Sequence, residues 1–248
     1  RVSSVEWSSS DPLSIPYETR QAQFEKGNLV INPSFENGRR EAGKTDDHFI
    51  PEGWQMVGDH VRTTTQEASS GDRTVIIART RSDEGDDAEG VISDFLPVIP
   101  GNYDFTFSVR LKDIASHKRR LGVKLYDAIE IRVLFFDSNK LPIKPYAPIP
   151  VRETLIDSSD KNYVFSHFWT IENFGWGTVR GKSYTYPFSE GDVPDATRYV
   201  RLFLGLKGTG TLWIDDIDYR YSKWNFTALE RFQPYLDRPL TLEEKITP

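Results

Sequence analysis

The sequence predicts an all-β protein, an antiparallel β-sandwich, on three observations. Segments of alternating apolar and polar residues recur along the 248 residues, 17 Gly and 15 Pro punctuate them, and no stretch holds a long helical period. Parallel strands would need crossover helices between them, so the pattern points to antiparallel pairing. An all-β chain of this length can stay a single principal domain.

In chain order, residues 1–27 mix polar and aromatic side chains without period and read as an N-terminal extension. Strands are expected at 28–31 and 74–78, then at 91–98, where Pro100-Gly101-Asn102 supplies the following turn. The clearest strand is 103–111: Tyr103, Phe105, Phe107, Val109 and Leu111 alternate with Asp104, Thr106, Ser108 and Arg110, one face buried and one wet. Further strands are expected at 128–136, 163–171, 199–206 and 211–221. Between 137 and 150 the prolines at 142, 145, 148 and 150 exclude central-strand pairing and predict a surface loop. Residues 222–248, with Pro234, Pro239 and Pro248, read as a C-terminal extension or connector to another domain. The sandwich is thereby bounded at 28–221.

Composition narrows the function. With 31 basic against 37 acidic residues the formal net charge is -6, so no global positive field favours nucleic acid or an anionic membrane, and a polyanionic partner would need a local basic patch. No apolar run is long enough for a membrane span, and the opening Arg1-Val2-Ser3-Ser4 reads as the start of an excised or processed piece. The absence of Cys excludes thiol nucleophiles, thiolate metal sites and disulfides, and leaves the compartment open. His48, His60, His117 and His167 have no metal-ligand spacing, and there is no Gly-x-Ser-x-Gly elbow, which argues against a zinc enzyme or serine hydrolase.

The stretch from Asn28 through Asn32-Pro33-Ser34-Phe35-Glu36 to Gly38, followed by Pro51-Glu52-Gly53-Trp54, resembles the opening of carbohydrate-binding modules of families four, nine and twenty-two. Ser70-Gly71-Asp72-Arg73, the Pro-Gly-Asn-Tyr turn at 100–103 and a closing Leu212-Trp213-Ile214-Asp215-Asp216-Ile217 follow in the same order. The resemblance implies a β-jelly-roll that binds sugar on a concave face or at its loop tips, and a secreted or cell-surface location. The segment 137–198 is longer and more aromatic than in such modules.

In the closing strand Leu212 and Ile214 share one phase while Ile217 and Tyr219 take the other, so the pattern flips across Asp215-Asp216 and predicts a β-bulge. The resemblance assigns a structural Ca²⁺ to Glu36 and Asp216, with Asp215 as the second Asp. Taken on spacing alone, these carboxylates would instead accept backbone hydrogen bonds at turns. Sugar stacking needs exposed aromatic planes. Gly175, Gly177 and Gly181 surround Trp176 and predict an irregular loop at 174–180 with Trp176 as platform, Tyr184 extending it, and Arg180 and Glu172 as hydroxyl partners. Trp169 is as readily core as platform, whereas Trp54 and Trp213 read as packing residues.

The expected function is a non-catalytic polysaccharide- or oligosaccharide-binding module beside a catalytic domain of the same chain. A structural or protein-interaction sandwich without a sugar site is the alternative, and a glycoside hydrolase or polysaccharide lyase the third.

Overall fold

The structure, a computed structural model, describes residues 15–40, 49–80, 87–115, 128–143, 154–157, 162–163, 170–184 and 197–227. In 154–157, 162–163, 170–174 and 179–184 the description is of the backbone alone. One helix, α1 (Tyr17–Glu25), precedes fourteen strands: β1 (Gly38–Arg40), β2 (Phe49–Pro51), β3 (Trp54–Val57), β4 (Val61–Thr64), β5 (Thr74–Arg79), β6 (Glu89–Ser93) and β7 (Leu96–Pro97) in the first half. The second half holds β8 (Asn102–Ala115), β9 (Ile129–Phe136), β10 (Thr154–Asp157), β11 (Asn162–Tyr163), β12 (Thr170–Tyr184), β13 (Tyr199–Leu206) and β14 (Thr209–Tyr221).

All strand pairs among the described residues are antiparallel, and two sheets form the sandwich. The larger runs β11-β10-β12-β8-β14-β5-β4; in the smaller, β13 pairs β6 and β7 along one edge and β9 along the other, with β3 outside β6. Tyr103, Phe105, Phe107, Val109 and Leu111 of β8 and Val200, Leu202, Leu204 and Leu206 of β13 point into the shared core, as the period of two demands. Tyr103 stacks on Tyr219, ring centroids 4.9 Å apart and 4° from parallel.

Residues 28–31 do not form the strand expected of them. Val30 is buried in the core, and the segment is tied to β14 by the Leu29 N–H, which donates to the Tyr219 carbonyl at 2.8 Å, and by a side chain: Asn28 Oδ1 accepts from the backbone of Val30 and Tyr219, and its Nδ2 donates to the Ile217 carbonyl. The expected loop at 174–180 is also corrected, because these residues lie inside β12 and pair with β8 on one side and β10 on the other. Of the strand expected at 163–171, the stretch 164–169 lies outside the described residues.

Packing continues beyond both sequence boundaries of the sandwich. Phe226 belongs to the core, and α1 lies against it: Arg20 is buried, donates from Nη1 to the Asn225 carbonyl at 2.6 Å, and sets its guanidinium 5.3 Å from the Phe226 ring centroid. Gln23, also buried, reaches the Pro97 carbonyl at 3.3 Å. These inward residues are polar, so α1 has no apolar stripe to betray it in sequence.

Candidate functional site

Besides a shift between Thr209 and Thr211 near the start of β14, two interruptions flank β8. On one side the pairing of β14 shifts between Asp215 and Asp218; on the other, that of β12 shifts between Phe174 and Gly177. The first is the bulge expected from the phase flip at Asp215-Asp216.

At the β14 bulge, Asp216 takes a left-handed backbone conformation, φ 50°. Asp215 is fully buried; its Oδ2 accepts from the Ser69 and Ser70 N–H groups at 2.8 and 3.3 Å, and its Oδ1 from the Asp216 N–H at 2.9 Å. Burial, and then the neighbouring Asp216 charge, push the Asp215 carboxyl up to about 7 against the pull of those N–H groups. Asp216 Oδ1 accepts from the hydroxyls of Ser34, at 2.9 Å, and Ser70, and Oδ2 from Ser108 at 3.3 Å. Glu36 Oε1 accepts from the Asp72 and Arg73 N–H groups at 2.8 and 2.9 Å, and it approaches Gly71 so closely that a Cβ there would sit 2.3 Å from it. The oxygen types suit a hard cation, since the Asp216 carboxylate is ringed by the hydroxyls of Ser34, Ser70 and Ser108, which donate to it. Asp215 fits less well, with both oxygens committed to backbone N–H groups. Among the described residues no group of three or more His, Cys, Asp or Glu side chains is arranged to hold a metal ion.

At the β12 bulge, Gly175 and Trp176 stand opposite the single residue Arg110. Trp176 is half-buried, Gly175 is exposed, and a Cβ on Gly175 would meet nothing within 4 Å. Arg110 lies 5.1 Å from the Trp213 ring centroid and pairs with Glu67 at 2.9 Å. Trp213 is buried, as expected of a packing residue, yet it lies outside the central apolar cluster; Trp54 belongs to that cluster and donates to the Ile31 and Asn32 carbonyls. The register sets Arg180 opposite Thr106 and Tyr184 opposite Asn102, while Glu172 lies on β12 near its start. Trp169 lies outside the described residues. The structure thus carries Trp176, Arg180 and Tyr184 on one strand but separates them along its length.

A third region went unrecognised in the sequence: the outward face of the smaller sheet. Its residues fall between the inward ones of β13 and β9, where Tyr199 pairs with Phe136, Arg201 with Leu134, Phe203 with Arg132 and Gly205 with Glu130. Tyr199 and Arg201 are half-buried, and Phe203 keeps 7% exposure beneath the Arg132 guanidinium, 5.4 Å from its ring. Arg132 Nε donates to Glu130 Oε1 at 2.6 Å, whereas the buried Glu130 Oε2 has no protein partner. Phe95 adds a ring edge-on to Phe136 and Tyr199, centroids 4.9 and 6.1 Å away. The sequence signal was the second phase of two alternating strands, which carries Tyr, Phe and Arg where a wet face ordinarily carries small polar residues.

No protein-family model matches the chain, and no curated protein matches it. Solved structures with a similar arrangement include the CBM22-1 xylan-binding domain of Paenibacillus barcinonensis Xyn10C, at 13% identity over 75% of this chain and 90% of that one, TM-score 0.43. A family 16 carbohydrate-binding module is 13% identical over 77% and 99% of the two chains, TM-score 0.41. A cyclase from Fischerella sp. TAU scores 0.44, at 13% identity over 78% and 95%. Likenesses this distant leave the function to the site.

Proposed function

We propose that this chain is a non-catalytic carbohydrate-binding module whose principal site is the outward face of the smaller sheet. The observation that carries it is the pair of half-buried rings Tyr199, on β13, and Phe95, on the β6–β7 connection, beside Arg201 and the Arg132–Glu130 pair that covers Phe203. Aromatic planes cover the apolar faces of pyranose rings, and fixed guanidinium and carboxylate groups meet hydroxyls. The Arg132 guanidinium, held by Glu130 Oε1, is a fixed donor for one of them. In this reading the partner is a polysaccharide or oligosaccharide outside the cell, presented to a neighbouring catalytic domain. Calcium would be held by Glu36 and Asp216, where it would offset the Asp216 charge and brace the β14 bulge.

Affinity electrophoresis against a panel of plant and bacterial polysaccharides tests the site. Tyr199→Ala should weaken retention by the best ligand about tenfold, worth ~1.4 kcal/mol, with an unchanged circular-dichroism spectrum. Full retention by that variant, or no retention of the parent chain by any glycan, defeats the proposal. A second surface is favoured by one observation, the half-exposed Trp176 standing opposite Arg110 at the β12 bulge.

A further inference from the structure

The chain is acidic overall, yet one end of the small-sheet face gathers cations around a single ring. Lys140 Nζ lies 4.9 Å from the Phe95 centroid and 5.5 Å from that of Tyr199, and the Arg201 guanidinium lies 5.1 Å from the Phe95 centroid. Both cations are positioned by the fold. Arg201 rises from the centre of β13, and its Nε donates to the Ser93 carbonyl at 2.6 Å. Lys140 sits on a turn closed by its own N–H to the Asp137 carbonyl, 3.1 Å, and by Asp137 Oδ1, which accepts from the Asn139 and Leu141 N–H groups at 2.8 and 2.9 Å. The nearby acids are otherwise engaged: the Asp137 carboxylate closes that turn, and Glu130 pairs with Arg132. Asp94 is exposed and faces Arg201 through charge without a hydrogen bond. Among the described residues, then, no carboxylate hydrogen-bonds Lys140 or Arg201.

A guanidinium stacked on aromatic rings has already lost much of its rotamer freedom while its N–H edge stays available, and that edge matches a carboxylate or a sulfate. Arg201 is also partly desolvated, so an anion seated beside it would recover interaction that water supplies poorly. Neutral sugars alone do not require two fixed cations around one ring.

Building on the carbohydrate-binding reading, we propose that the ligand of this face is an acidic polysaccharide, whose uronate carboxylate or sulfate ester seats between Lys140 and Arg201 beside Phe95. The full chain should bind polygalacturonate or chondroitin sulfate at least tenfold more tightly than unsubstituted xylan or β-glucan by isothermal titration, with affinity falling as salt is raised. Preference for the first polymer identifies a carboxylate; because chondroitin sulfate also carries glucuronate, a preference for the second identifies a sulfate when desulfated chondroitin loses it. Lys140→Gln combined with Arg201→Gln should erase the preference, and Arg201→Lys should keep part of it. Lys140→Gln alone, on an exposed turn, gives a second reading should the Arg201 variants fold poorly. Equal binding of acidic and neutral glycans, an unaffected double variant, or equally tight binding of poly-glutamate overturns the inference while sugar binding stands. Failure to bind any glycan instead removes the reading on which it rests.

Discussion

The two bulges beside β8 differ in what they do with the residue that fails to pair. At β14 the displaced backbone turns carboxylates toward the sheet, and every oxygen of Asp215 and Asp216 acquires a protein donor. At β12 the displaced residues are Gly175 and Trp176, the one exposed and the other half-exposed. The same local defect is therefore closed by hydrogen bonds in one place and left as surface in the other. Bulge geometry alone does not mark a functional site; what the extra residue meets decides it.

Breaking the closed bulge should have the largest effect. Asp215→Ala would strand three backbone N–H groups and should cost about 2–4 kcal/mol of stability in urea unfolding, while Trp176→Ala should change the unfolding free energy by under about 0.5 kcal/mol. Equal losses would erase the contrast. Chelation ranks next. If Glu36 and Asp216 hold calcium, adding the ion at one hundred times its Kd should restore ~2.7 kcal/mol to the chelated chain, and differential scanning calorimetry should show the transition fall on chelation. An unchanged transition would leave the β14 bulge closed by protein donors alone.

The open bulge offers the next test. Trp176→Ala should lower affinity for the best glycan by under ~1 kcal/mol if the bulge is an accessory surface; a loss exceeding that of Tyr199→Ala would make it the main platform. The smallest effect lies at an ion cluster away from both bulges. Burial raises the Glu89 carboxyl, but hydrogen bonds and charge from His60, with the Arg79 charge, overrule it and hold the group below its ordinary value. Its contribution is therefore present above the unfolded-state pKa and is lost as pH falls through the lower folded one. Glu89→Gln should flatten the acid limb of the stability profile slightly, and an unchanged limb would show that the cluster adds nothing.

The sequence made the sandwich legible wherever apolar residues kept strict alternation, as in β8, β9 and β13. It also revealed the β14 bulge, because Leu212, Ile214, Ile217 and Tyr219 record the change of phase directly. The β12 segment is not legible, because glycines around Trp176 signal a loop as readily as a strand with a bulge. Gly177 is buried opposite Val109, and Gly175 sits in the bulge; a glycine within a strand is itself a bulge signal. Helix α1 was hidden because its buried anchors, Arg20 and Gln23, are polar. The small-sheet face escaped notice for a different reason. Its rings and cations come from β13, the β6–β7 connection and the turn after β9, and only pairing register brings Phe95, Lys140 and Arg201 together.

The bond from Arg20 to the Asn225 carbonyl has a mechanical consequence. It joins the first described helix to the last described turn, and because Arg20 also bonds the Ile15 carbonyl, the two ends of the described body are held at one side chain. Tension applied through the flanking polypeptide would load that latch and peel α1 away before it strained the sheets. The sandwich would hang from its tether as a pendant, with its strands outside the line of force.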